Sequence, residues 1–433
     1  MSIAAQLRQY LDTDFPSQER LEYLRYYKYA AVDKSYITKY FLRHYWNWAI
    51  EWFPLWMAPN LITLIGLFFM MFNVLLVYIY APDLDGMNAP SWIYLSFAIG
   101  LWLYSTFDNV DGKQARRTGT SSPLGELFDH GCDALNTTYV AILQIVALGL
   151  GQSHLAVILF ITTMIGFYLS TAEEYYTGVL YLGIVNGPTE GILLTCAAFL
   201  WSWLYGASSW HIPLDTIPSA SWLTHWLPAR TTGAEIFVWG TVFFFVVTHC
   251  TMVFHSMYVA CQKKGLHIGQ AASESILPIA VFGMAQYYWC MSPYSILLSN
   301  EHFFLFTLAN GTLFGLMASS IILAHLTCAR FPNLLIMISP VIMMAVLVNA
   351  PAMIGLQLIS GRLELVLLWT ELVAYVIIYG AWVILVIDGF CRYLGIRCLV
   401  ISRTKTLDPS QQDEIINAEE QGIPVDSSQY RTF

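Results

Sequence analysis

Ten long apolar runs separated by short polar connections dominate the chain: residues 61–80, 91–107, 134–150, 155–172, 189–204, 236–259, 276–291, 303–326, 334–347 and 363–387. A helix needs about 20 mainly apolar residues to cross a hydrocarbon core about 30 Å thick, and most of these runs reach or approach that length. Pro278, Pro340 and Pro351 shorten the seventh and ninth. A lipid-embedded helix tolerates proline where its neighbours re-satisfy the freed backbone groups. The pattern predicts an all-α integral membrane protein with ten transmembrane helices over residues 56–390.

The flanking segments read differently. Residues 1–55 form an N-terminal segment, and the stretch 36–56 across its end mixes Tyr40, Phe41, Tyr45, Trp46, Trp48, Trp52, Phe53 and Trp56 with Lys39, Arg43 and His44. That mixture suits an amphipathic helix lying in the membrane interface; the same rings would also serve as a packing collar around the first spans. Residues 391–433 form a polar tail that includes Asp413, Glu414, Glu419 and Glu420, and a mobile extension is expected there.

Composition agrees with the pattern: 57% of the residues are hydrophobic and 11% charged, against about 25% charged in soluble domains. Charge adds direction, because Lys and Arg accumulate on the cytoplasmic side of short loops. With ten crossings both termini share a side, and that side receives 18 of the 20 lysines and arginines, leaving Arg230 and Arg362 opposite. Both termini are therefore expected in the cytosol. Arg8, Arg20, Arg25 and Lys28 interrupt any apolar leader, so no cleavable signal is read. The eight cysteines form no Cys-x-x-Cys pair, which argues against a disulfide framework or zinc site. His249, His255 and His325 fall within runs and read as satisfied core groups. A net charge of −9 gives no reason to expect a nucleic-acid partner.

The chemistry is concentrated in residues 108–133. Four aspartates, Asp108, Asp111, Asp129 and Asp133, border strongly apolar sequence. The second run continues without proline through Gln114 and Ala115 to Arg117, which predicts that its helix extends past Asp111. Asp108 and Asp111 then share a face at i, i+3. Residues 118–123 read as a turn. A third helix starts near Pro123 and stacks Gly125, Asp129 and Asp133 at i, i+4, i+8. Two helices joined by so short a loop are antiparallel neighbours, so all four carboxylates converge.

Acids at membrane depth cost about 2.5–3.5 kcal/mol each. Two divalent cations would neutralise four carboxylates, and oxygen donors suit Mg2+ or Mn2+. Such a pair clamps the attacking and leaving oxygens of a phosphoryl displacement. Gly112 would let a nucleotide or a neighbouring helix approach the backbone, and Arg116 supplies a guanidinium suited to phosphate. A purely structural network of aspartates with Lys113, Arg116 and Arg117 is the bland alternative. Three bases do not compensate the five acids of residues 108–133, Glu126 included, and that network would not need Gly112.

The segment reads D-x2-D-G-x2-A-R-x8-G-x3-D-x3-D and resembles the CDP-alcohol phosphotransferase family at every fixed position of its motif. The wider strings from Gly112 to Thr118 and from Ser122 to Leu135 are similar to the eukaryotic choline/ethanolamine phosphotransferases. So are those from Ala58 to Leu67 and from Asn186 to Gly191. The likeness extends from about Tyr36 to Arg403. It implies transfer of phosphocholine or phosphoethanolamine from CDP-choline or CDP-ethanolamine to diacylglycerol, with release of CMP. It also implies a ten-helix dimer in the endoplasmic reticulum or Golgi membrane, with its active site facing the cytosol. Asp108, Asp111, Asp129 and Asp133 would hold two Mg2+ ions, with Asp108 and Asp129 bridging, and Asn60 and Arg116 would hold CDP.

The lipid hydroxyl needs a base, and His130 and Asp133 are the candidates. His130 is preferred, since a carboxylate on a divalent ion loses basicity whereas imidazole titrates near neutral pH. Glu126, at i, i+4 from His130, would orient the ring; an ordinary helix pair is the bland reading. For the head group, Glu190 is the first candidate, with Glu173, Glu174, Tyr175, Tyr176 and Tyr181 lining the mouth; an interfacial aromatic belt accounts for the rings equally well. Three other functions compete. An ion-coupled transporter also buries acids but needs no Gly112, Ala115, Arg116 and Gly125 framework. A non-catalytic binder would be expected to lose some of the aspartates. A phosphatidylinositol synthase-like relative is disfavoured by the wider strings.

Overall fold

The apolar runs become helices. The computed structural model describes residues 15–27, 30–182, 188–217 and 226–401. The short helices α1 (Gln18–Glu22) and α2 (Arg43–Ala49) come first. Then follow α3 (Pro59–Tyr80), α4 (Trp92–Thr118), α5 (Pro123–Ala147), α6 (His154–Thr177), α7 (Pro188–Tyr205), α8 (Gly233–Lys264), α9 (Ile268–Cys290), α10 (Phe303–Leu326), α11 (Leu334–Ile354) and α12 (Gly361–Leu394). Among the described residues, seven helices, α3, α6 and α8–α12, are long and apolar enough to cross a membrane. Helices α4, α5 and α7 are less apolar, because the aspartates and bases lie on the first two and α7 opens on Pro188, Thr189 and Glu190. The protein is accordingly a multi-pass, helical membrane protein.

Two expectations need amendment. Pro278, Pro340 and Pro351 lie inside α9 and α11, which run on through them, so these helices exceed the runs 276–291 and 334–347. The all-α description also gains a small exception: β1 (Ala31–Asp33) pairs in parallel with β2 (Leu180–Leu182), tying the N-terminal segment to the residues after α6. The tail beyond residue 401 and the Asn186-Gly187 part of the α7 string lie outside the described residues.

Helix ends follow local chemistry. Helix α4 ends at Gly119, whose φ of 65° suits the left-handed cap. Pro123 occupies the first turn of α5 behind Ser122, whose side chain accepts from the Gly125 amide at 3.3 Å. The predicted turn at 118–123 is thus four residues between two antiparallel helices.

Helix α10 is the centre of the bundle, buried along most of its length, and meets α5, α6 and α12. Close approach depends on glycine: a Cβ on Gly311 would come within 2.3 Å of Thr138 on α5, and one on Gly66 within 3.0 Å of Phe107 on α4. A second apolar cluster joins Leu21 and Leu24 to Leu124 and Leu127 of α5, Ile322 and Leu326 of α10 and Phe390 of α12. It brings the start of α5 and the ends of α10 and α12 to one end of the bundle. At the other end His211 reaches the Leu148 carbonyl at 3.0 Å and Glu364, at the start of α12, accepts from Trp289 at 2.8 Å.

The aromatic segment is helical from Thr38 to Trp52 in three consecutive pieces centred on α2. Leu42, Trp46 and Ala49 face inward, whereas Tyr36, Tyr40, Phe41, Trp48, Trp52 and Trp56 are exposed. The last turns of α4 hold it. Lys113 donates to Asn47 at 2.7 Å, Gln114 to the carbonyls of Pro54 and Met57 at 3.0 Å, and Arg117 to those of Ile50 and Phe53 at 3.0 and 3.1 Å.

Candidate active site

The turn at 119–122 folds α4 back against α5 and brings the acids together. Carboxylate oxygens of Asp108, Asp129 and Asp133 lie within 4.8 Å of one another. Asp111, one helical turn after Asp108, is close enough to interact electrostatically with Asp129 and Asp133. Oxygen Oδ1 of Asp108 and Oδ1 of Asp129 are buried without a hydrogen-bond partner among the described residues. Buried carboxylate oxygens left in this state are costly unless a cation compensates them. The donor set is all oxygen, so these residues fit a divalent metal of the Mg2+ or Mn2+ type.

Two other side chains hold the cage. The Thr63 hydroxyl of α3 donates to Asp111, and the Tyr104 hydroxyl of α4 donates to Asp133 at 2.5 Å. Each bond takes one lone pair of its aspartate and fixes the carboxylate's rotation, leaving the remaining oxygen to the centre. Neither residue was given a role on sequence grounds. Tyr104 had a local signal, at i, i+4 from Asp108, and Thr63 is three residues from Asn60 on the same helix.

His130 is 7% exposed, on the helix that carries Asp129 and Asp133. Two acids stand near it, Glu126 and Glu174. Nδ1 lies 3.5 Å from Oε2 of Glu174 at the end of α6, while Glu126 accepts a hydrogen bond from Tyr27 of the N-terminal segment. Glu126, Glu174 and His325 form a second tight group, with potential ligand atoms within 4.8 Å. His325, expected to be an ordinary core group, thus belongs to the site's surroundings. Glu174, expected at an open mouth, is buried at 5% exposure.

Asn60, in the first turn of α3, is buried with Oδ1 3.8 Å from where a Gly125 Cβ would stand and Nδ2 3.6 Å from Cys398 Sγ. Gly112 offers more room than a helix contact would leave: a Cβ there would meet nothing nearer than Arg116 Nη1, at 3.6 Å. Among the described residues, no other helix lies within 4 Å of that position. Glu190 accepts from Ser35, and its Oε2 is buried without a hydrogen-bond partner among the described residues. Of the proposed mouth aromatics, Tyr175 donates to the Ala329 carbonyl at 2.8 Å and Tyr176 stacks on Phe331. They act as pins between α6 and the segment after α10, which accounts for them without a head-group cage.

Comparison with known proteins agrees with the geometry. A family model described as CDP-alcohol phosphatidyltransferase matches residues 56–247. Cholinephosphotransferase 1 of Saccharomyces cerevisiae is 34% identical over 91% of this chain and 99% of its own length. The chain belongs to the CDP-alcohol phosphatidyltransferase family. Choline/ethanolaminephosphotransferase 1 of Arabidopsis thaliana is 36% identical over 70% of this chain and 76% of its own. An uncharacterised class-I member from Schizosaccharomyces pombe is 38% identical over 76% and 84%. The family is metal-dependent, in accord with the unpartnered aspartate oxygens.

Proposed function

We propose that this CDP-alcohol phosphatidyltransferase moves phosphocholine or phosphoethanolamine from the corresponding CDP-alcohol to the free hydroxyl of diacylglycerol, giving phosphatidylcholine or phosphatidylethanolamine and CMP. The convergence of Asp108, Asp129 and Asp133 on the helices that carry His130 and Arg116, with buried oxygens of Asp108 and Asp129 lacking a partner among the described residues, carries the reading, and the relatives' names give the substrate class. Two Mg2+ ions, with Mn2+ as a substitute, are the cofactor we assign to Asp108, Asp111, Asp129 and Asp133. When bound, such ions neutralise phosphate charge and stabilise the attacking and leaving oxygens. Asn60, Gly112 and Arg116 are the residues we assign to CDP, and Glu190 remains the head-group candidate.

His130 takes the proton of the diacylglycerol hydroxyl. The freed oxygen attacks the phosphorus bearing the alcohol, the pyrophosphate P–O bond breaks, and CMP departs with the bonding pair. Glu126 and its neighbours keep the imidazole in place. Metal ions held by Asp108, Asp111, Asp129 and Asp133 would supply the positioning and charge stabilisation on which phosphoryl transfer mainly depends, since little covalent chemistry falls to the protein.

We further infer ten crossings over a catalytic region of residues 56–390, with residues 1–55 and 391–433 on the cytosolic side and the Thr38–Trp52 helix in the interface. The active site then faces the cytosol of an endoplasmic reticulum or Golgi membrane, in a homodimer. Exposed Tyr40, Phe41, Trp48, Trp52 and Trp56 support the interfacial placement, and the 18 to 2 division of bases supports the orientation. The test is a competition assay: purified protein in diacylglycerol-containing nanodiscs receives CDP-choline and CDP-ethanolamine together with Mg2+. CMP and one or both phospholipids are expected. Product formed only from CDP-diacylglycerol and inositol, or ion flux in proteoliposomes without CMP, would replace this reading.

A further inference from the structure

Three groups outside the metal cage carry chemistry. One is Glu371 and Tyr375 in the middle of α12, each with a buried oxygen lacking a hydrogen-bond partner among the described residues. Another is the buried Glu364 site, fully explained by bonds from Trp289, Ser295 and the Ile296 amide. The third is the group of Glu126, Glu174 and His325 around His130, and it goes furthest, because it touches a residue with an assigned role.

An imidazole that accepts a proton through one nitrogen must hold its hydrogen on the other, and the acceptor facing that second nitrogen selects the tautomer. Two carboxylates stand near His130. Glu126 shares its helix and is engaged by the Tyr27 hydroxyl. Glu174 arrives from α6 with Oε2 3.5 Å from His130 Nδ1. That separation is an ion-pair distance, and such contacts tighten when substrate binds. Glu174 is also held in place, in the last turn of α6 with Gly178 capping the helix directly behind it through an amide bond to the Glu174 carbonyl at 2.8 Å.

We propose that Glu174 is the positioning residue for His130: its carboxylate receives Nδ1–H, which leaves Nε2 as the nitrogen that takes the hydroxyl proton. The proposal rests on His130 being the base. Glu126, one turn earlier on the same helix, also fastens Tyr27 and the N-terminal segment to α5. His325 on α10 lies in the same group, with potential ligand atoms of His325, Glu126 and Glu174 within 4.8 Å of one another. The division explains why an acid on a distant helix is buried at the site when a nearer one, four residues from His130, is already present.

The experiment compares Glu174→Ala, Glu174→Asp, His130→Ala and the double variant His130→Ala/Glu174→Ala. Full-length protein in nanodiscs is used, with CMP release measured against CDP-choline and Mg2+ concentration. Glu174→Ala should lower kcat by about 10–100-fold, the usual effect of removing a residue that orients a functional one. KM for CDP-choline should stay within about twofold, and Glu174→Asp should recover part of the rate. The double variant should be no slower than His130→Ala alone, since two residues acting as one unit are not additive. Unchanged kcat in Glu174→Ala overturns the proposal, as does a full further loss in the double variant. A loss of turnover that saturating Mg2+ restores would make the cluster a cation site, and also overturns it. If His130→Ala itself turns over normally, the base assignment falls first and takes the proposal with it, a result distinct from each of the others.

Discussion

Thr63 and Tyr104 show how single hydroxyl groups decide the state of a buried acid. A carboxylate at membrane depth without a partner is expensive, and in this protein Asp111 and Asp133 each receive one donor from a neighbouring side chain. Asp108 and Asp129 retain an unpartnered oxygen, so the cage is half satisfied by protein and half reserved for a cation. Thr63→Val keeps the shape of the side chain and removes the donor; Tyr104→Phe does the same. Each should raise the Mg2+ concentration needed for half-maximal CMP release by about 10–100-fold, the scale of lost outer-sphere support. A Mg2+ titration that superimposes on that of the parent protein would show that these bonds do not orient the ligands. The acids themselves were legible from spacing alone, because i, i+3 and i+4 neighbours share a helix face whatever surrounds the helix. Their hydroxyl partners are supplied by contacts that spacing does not encode.

The elements use their glycines differently, some for close helix packing and some where little lies beside them. Gly311 lets α10 lie against Thr138 of α5, and any Cβ there would meet that β-branched side chain at 2.3–2.8 Å. Gly311→Ala should destabilise the protein by about 1–3 kcal/mol, as overpacking does, and lower the melting temperature in detergent. Gly112→Ala meets only Arg116 Nη1 at 3.6 Å, so its melting temperature should remain that of the parent while KM for CDP-choline rises. The opposite pattern would exchange the two roles. At this scale the sequence suffices where a helix depends on its own residues. It foresaw the extension of α4 past Asp111, the turn at 118–123 and the start of α5 at Pro123. It understated α9 and α11, because proline removes one backbone bond but does not end a helix whose neighbours enclose it.

Across the whole molecule, one end of the bundle gathers the function. The start of α5 and the ends of α6 and α10 meet at Glu126, Glu174 and His325, the second apolar cluster adds the end of α12, and the N-terminal segment is bound there through Tyr27. Cys328, just beyond α10, is exposed at this end. In sealed microsomes an impermeant maleimide should therefore label Cys328 from the outside, the cytosolic face, in a variant whose other cysteines are replaced. Protection until detergent is added would reverse the orientation. The sequence by itself determined the solvent, the helical periodicity, the succession of long helices and the convergence of the aspartates of α4 and α5. These follow from composition and from spacing along one or two adjacent helices. Only the tertiary structure decided that Glu174 faces His130, that Glu126 serves Tyr27, and that Thr63 and Tyr104 hold the aspartates. Several of these pairs join residues far apart in the chain, and the packing of helices selects them.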